Sequence, residues 1–130
     1  MYNLPSKINQ VPNMTLDTFL TIIIELPNSI EFTDTMTVIE SYYHFTPTQF
    51  NNGNSINLAG ENNGSCKIFA FGQLNNLSEI QTLSCFGAYY HEHVLKNPNG
   101  VDHQNIRNFM ISGWQGIRYS GSALLEKETL

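Results

Sequence analysis

Apolar side chains recur at helical spacing in several stretches of this chain, and polar segments bearing glycine or proline separate them. Leu16, Phe19, Leu20, Ile23 and Ile24 share one face of a helix over about Leu16–Leu26, with Asp17, Thr21 and Glu25 opposite. Thr15 is its expected N-cap and Pro27 its stop. A second helix is predicted over about Asp34–Tyr42, with Met36, Ile39 and Tyr43 inward. Thr33 is its expected cap, with Phe32 stapled against Thr37 or Met36. The third, about Cys66–Leu74, is dense in bulky apolar residues and has Ser65 as its expected cap. Ser78-Glu79-Ile80-Gln81 is a capping box, and it opens a fourth helix with Ile80, Leu83, Phe86, Tyr90 and Val94 as one stripe. Asp102 is the expected cap of a fifth, about His103–Ser112, with Ile106, Phe109 and Met110 inward and Gly113 at its end.

Two segments change period. Phe45, Thr46, Thr48 and Phe50 are strand-like, and Asn51-Asn52-Gly53-Asn54 signals a turn, with Ile56 returning to the core. Pro47 limits the pairing. Ile117, Arg118 and Tyr119 alternate between Gly116 and Gly121. The expected fold is mainly α, of the α+β class. About five short helices surround one core, and a small two-stranded β element joins the segment near Phe45 to that near Tyr119. Residues 1–13 are expected to be a flexible N-terminal arm, with Met14 an alternative start. Residues 14–125 are expected to form a single domain, and residues 126–130 a frayed C-terminus.

Composition narrows the classes of function. The 130 residues suit one domain with one core. Only 13% are charged, against about a quarter in an average protein, and the polarity comes from Asn, Thr, Ser and Gln. The net charge is −5 and the six Lys and Arg form no stripe, which argues against nucleic acid as a partner. No apolar run approaches the length of about 18 residues that marks a membrane span, and the first residues lack the pattern of a secretory signal. Cys66 and Cys85 both fall in predicted helices and read as reduced, buried thiols. The sequons at Asn13, Asn63 and Asn76 carry no meaning in an unglycosylated compartment.

Candidate chemistry gathers at two helix entrances. Glu61, Asn62, Asn63 and Ser65 precede one, and Asp102, His103, Gln104, Asn105 and Arg107 surround the other. Free amides and the positive end of each helix dipole point there. If the two entrances meet, they make a pocket for a small polar or anionic ligand, with His103 as a candidate base. Ordinary capping of each loop by its own side chains explains the same residues without a ligand. Cys66 beside His103 would make a nucleophile–base pair, but Cys66 also starts an apolar helix, where an inert buried thiol is the better reading. His91 and His93 are two apart on a helix and face different ways, so they need His44 or His103 in space to hold a metal. A solvated helix end is the simpler account. Tyr42, Tyr43, Tyr89, Tyr90 and Trp114 fit core packing better than a stacking platform. Gly60–Lys67 does not match a phosphate-binding loop.

Several motifs stand together, in order. They are Ser29-Ile30-Glu31-Phe32 with Met36 and Ile39-Glu40, His44-Phe45-Thr46-Pro47-Thr48, the run Gly60 to Phe71, Cys85-Phe86-Gly87 with Tyr89-Tyr90, and Asp102-His103-Gln104-Asn105-Ile106-Arg107-Asn108-Phe109-Met110. Over about Met14 to Leu124 the chain resembles the HopJ type III effector protein family. That resemblance implies a small soluble bacterial protein of unknown activity that acts by binding a protein partner. It places the protein in the bacterial cytoplasm, with type III export into a host cell as the alternative. It supplies no catalytic residues, cofactor or metal. The candidate ligand-binding set Glu61, Asn62, Asn63, Ser65, Cys66, His103, Asn105 and Arg107 therefore rests on chemistry alone. A polar pocket between these helix starts, binding a small ligand or serving a hydrolase-like enzyme, is the competing reading.

Overall fold

A computed structural model describes residues 14–128, so the arm expected over residues 1–13 lies outside it. Helix α1 (Leu16–Glu25) starts at Thr15, whose hydroxyl accepts from the Thr18 amide at 3.1 Å. Pro27 ends it and opens a single 3₁₀ turn. Phe19 and Ile23 are buried, Leu16, Leu20 and Ile22 pack partly buried against the core, and Ile24 is exposed. Helix α2 (Phe32–Tyr42) begins before the expected Thr33 cap. Glu31 is the N-cap instead, in a capping box with Asp34, whose carboxylate accepts from the Glu31 amide at 2.9 Å. A carboxylate does the work of the hydroxyl, so α2 gains a first turn containing Phe32. Val38 and Ile39 are its buried apolar residues, and Met36 packs at the edge of the core.

Helix α3 (Asn63–Leu74) runs through the centre, with Cys66, Ile68, Phe69, Ala70, Phe71 and Gly72 buried. An apolar run without a polar face has to be covered on all sides. Phe69 packs against Phe86 at 5.6 Å and Phe109 at 4.8 Å between ring centroids, and Phe71 against Phe19 at 5.6 Å. Ser65 is not its cap. Asn62 is, in the left-handed conformation, and Ser65 lies inside the first turn. At Gly72 an added Cβ would stand 2.6 Å from Thr82 Oγ1 and 2.9 Å from the Trp114 ring, so the next helix packs at backbone distance.

That helix, α4 (Glu79–Ser84), carries the expected Ser78/Gln81 capping box. The predicted stripe from Ile80 to Val94 is broken, however. Gly87 turns the chain at φ +61°, and a separate six-residue π-helical segment, Tyr89–Val94, follows. The break is forced by α2, since a Cβ on Gly87 would lie 2.7 Å from the Phe32 nitrogen. Ile80, in the first turn of α4, is exposed. Helix α5 (Gln104–Ser112) buries Ile106 and Phe109 and ends at Gly113. Met110 is exposed rather than inward.

The class is α+β, as the periods indicate. The β part consists of two small antiparallel sheets. Strand β1 (Tyr43–Phe45) pairs with β5 (Leu124–Glu126), and β2 (Phe50–Asn52) lies between β3 (Ser55–Asn57) and β4 (Ile117–Tyr119). The register sets Tyr43 against Glu126 and Phe50 against both Asn57 and Tyr119. The predicted strand-like segment is thus split: Phe50 pairs with Tyr119 as expected, whereas Phe45 pairs with Leu124. Glu126, expected to fray, is held in the ladder, and the Lys127 amide donates to the Tyr42 carbonyl at 3.0 Å. The hairpin turns tightly at Gly53-Asn54, which places Ile56 outward on an edge strand at 61% exposure. The buried apolar side chains of helices and sheets form one cluster.

Candidate functional site

The two helix entrances meet. They open into one cleft of about 630 Å³, lined by residues including Glu61, Asn62, Gly64 and Ser65 from the start of α3 and His103, Gln104, Asn105 and Ile106 from the start of α5. Strand β3 supplies Ser55, Ile56 and Asn57, and Phe32, Phe86 and Tyr89 close the aromatic side. Asn62 and His103 hold the N-cap positions at φ +54° and +52°, and neither side chain caps its own helix. Non-glycine residues rarely adopt this conformation, so surrounding contacts must hold it.

An asparagine lattice supplies such a contact to Asn62 and braces the start of α5 through Asn105. Asn57 Oδ1 accepts from Asn62 Nδ2 at 2.6 Å and from Asn105 Nδ2 at 3.0 Å, which ties β3 to both entrances. Asn52 Nδ2 donates to the Asn105 carbonyl and to Asn105 Oδ1, at 2.8 and 2.9 Å. Asn108 Nδ2 reaches Ser55 Oγ at 2.8 Å. Amides can donate and accept together, so they link a hairpin to two helices without introducing charge.

The predicted site residues divide. Glu61, Asn62, Ser65, His103 and Asn105 line the cleft. Glu61 also closes its own loop, because its Oε1 accepts from the Leu58 amide at 2.9 Å. Asn63 is exposed outside the lining. Cys66 is 1% exposed, and its thiol donates to the Thr48 carbonyl at 3.4 Å. Burial pushes that thiol's pKa up. Cys66 is thus the inert buried thiol that its place in an apolar helix indicates, bonded to Thr48 rather than paired with His103. Arg107 points away from the cleft. Its Nε and Nη1 donate to the Asp102 and Asn97 carbonyls, and its Nη2 to Asp102 Oδ1 at 2.8 Å. It pins the turn before α5. Asp102 is thus an ion-pair partner and not the helix cap, and the Arg107 guanidinium holds its carboxyl below the ordinary range.

Sequence reasoning missed Asn57, Phe32 and Tyr89 as site residues, and it posed His103 beside His93 only as one of two partners in space, the other being His44. His93 Nδ1 lies 3.2 Å from His103 Nε2. The π-helical segment puts Tyr89 and His93 on one face, with ring centroids 5.5 Å apart, and Tyr89 is 5.3 Å from His103. Phe32 supports Tyr89 edge-on at 5.2 Å. No local spacing signals this cluster, because it depends on the turn at Gly87. Among the described residues no group of three or more His, Cys, Asp or Glu is gathered as a metal site.

A family model described as HopJ type III effector protein matches residues 16–124. The chain belongs to the HopJ type III effector protein family. The matched span contains every element from α1 to the first residue of β5, and with it both entrances of the cleft. This HopJ chain is also similar to a solved crystal structure described as "unknown function protein VPA0580". The identity is 57%, with 86% of this chain and 93% of that chain covered, and the TM-score is 0.85. No curated protein matches the sequence significantly. Among the described residues no helix of this HopJ family member is long and apolar enough to cross a membrane.

Proposed function

We propose that this HopJ family member binds a small polar ligand in the cleft between the starts of α3 and α5. The observation that carries this reading is the cleft itself, where two helix entrances, a strand edge and an aromatic wall converge on one space. A small-molecule site combines this kind of apolar wall with a few fixed polar groups. Here Phe32, Phe86 and Tyr89 form the wall, and Glu61, Asn62, Ser65, Gln104 and Asn105 are the polar groups. The lattice through Asn57 holds them in place before any ligand arrives, which lowers the ordering cost of binding. Thermal-shift screening with small polar and anionic metabolites tests the reading. A binder should raise the melting temperature of the native chain and lose that effect in Ser65→Trp, which fills the cleft. A binder equally effective on the variant would move the site elsewhere.

Family membership favours a second reading, in which the protein is exported by type III secretion and acts on a host protein. The exposed apolar residues Ile56 and Leu58, on and just after the edge strand β3, suit contact with a partner. Affinity capture from host extract, compared between the native chain and Ile56→Lys, tests it. Capture unaffected by the substitution argues against this surface.

A further inference from the structure

We infer that His93 and His103 form a two-histidine site for a divalent late first-row metal ion at the rim of the cleft. His93 Nδ1 lies only 3.2 Å from His103 Nε2. Two imidazole nitrogens bound to one tetrahedral zinc, at bonds of about 2.0–2.1 Å, stand about 3.3 Å apart. The observed separation needs almost no adjustment to accept an ion lying to one side of the N···N line.

Both rings are held in position. Tyr89 packs against His93 and His103 at 5.5 and 5.3 Å, and it is itself braced by Phe32. The left-handed backbone at His103 and the π-helical segment carrying His93 aim the two rings at each other from different elements. π-Helical turns recur at functional sites, where the extra residue re-aims a side chain. Asp102 adds a negative charge, its Oδ2 lying 3.8 Å from His103 Nε2. That oxygen is not the one bonded by Arg107, which takes Oδ1.

The donor set selects the metal. Imidazole suits zinc, copper and nickel, whereas magnesium and calcium prefer oxygen. Both cysteines are buried elsewhere, Cys66 against Thr48 and Cys85 bonded back to Gln81, so no thiolate joins the site. With two protein nitrogens, the remaining positions stay open to water or to an oxygen-bearing ligand entering from the cleft. The site depends on the imidazole pair and not on the ligand reading above.

The test titrates the chelator-treated full chain with zinc chloride and nickel chloride by isothermal calorimetry at neutral pH. One saturable site is expected, weakened at least about tenfold by His93→Gln and by His103→Gln. His44→Gln and His91→Gln, which alter histidines outside the pair, should leave it unchanged. Circular dichroism of each variant checks folding, and metal-induced shifts of the His93 and His103 ring signals by NMR give a readout that needs no variant. Absence of saturable binding, or binding that persists in both pair variants, overturns the assignment and leaves the two rings sharing a hydrogen bond. If metal binds while the metabolite screen finds nothing, the metal site stands and the ligand reading fails.

Discussion

Asn57 is the sharpest place to test how the cleft is built. Its side chain is 4% exposed and accepts from Asn62 at 2.6 Å and from Asn105 at 3.0 Å. Asn57→Ala removes that shared acceptor. Each donor left without a partner costs about 1–3 kcal/mol, with the lower end applying where water can substitute. Asn62 is exposed and recovers through solvent, whereas Asn105 is half-buried and recovers only in part. The expected loss is about 2–3 kcal/mol. In a domain of this size that lowers the melting temperature by about 6–15 °C. Calorimetry measures the fall, and Asn99→Ala in an exposed turn is the control. Hydrogen exchange localises it, because the first amides of α3 and α5 should exchange faster while those in the middle of α3 stay protected. A melting temperature within about 2 °C of the native chain, with unchanged exchange at both helix starts, would refute the lattice as the element that sets the cleft.

Three further outcomes follow from the geometry. Gly87→Ala should cost about 2–4 kcal/mol, because φ is +61° and the new Cβ meets the Phe32 nitrogen at 2.7 Å, whereas Gly60→Ala, with φ +93° but open space, should cost about 1 kcal/mol in urea unfolding. Native-state titration with a thiol reagent at pH 8 should label neither Cys66 nor Cys85, and both should react in denaturant; rapid native labelling of Cys66 would restore it as a candidate nucleophile. Burial pushes the Cys85 thiol up from 9.0 to about 12, so above pH 9 the unfolded chain loses a proton that the folded chain keeps. Stability therefore falls as pH rises from 9 towards 12, and Cys85→Ala should flatten that fall in urea midpoints measured across the range.

The helices were largely legible because their signals are local. Thr15, Pro27, Gly113 and the Ser78/Gln81 box act over three or four residues, and the structure uses each of them. The caps at Asn62 and His103 were not legible, since neither uses its own side chain to cap the helix. Asn62 is tied to Asn57, and His103 meets His93 and Tyr89, all from other elements. The fourth helix was read too long because Gly87 looks like a tolerable glycine inside a stripe, and only the approach of α2 makes it a corner. The strand pairing was legible in part: the Phe50 end of the predicted segment does pair with Tyr119, but the Phe45 end pairs with Leu124, because three-residue strands carry too little pattern to specify each partner. At the site, the meeting of the two entrances could be posed from sequence as a question, and the burial of Cys66 could be read from the apolar helix that it starts.

The two sheets also constrain the order in which the molecule can assemble. Strands β1 and β2 wait for β5 and β4, which lie beyond all five helices in the chain. On a ribosome, α1 to α4 can collapse around Phe69 and Phe71 while the hairpin of β2 and β3 stays open along its other edge. Closing so long a loop costs entropy before the new pairing returns anything. The lattice at Asn105 belongs to the same late event, since α5 is made just before β4. A nascent chain halted after position 100 would thus carry most of its helical core but no cleft. Any partner or ion that recognises the cleft could distinguish finished molecules from unfinished ones.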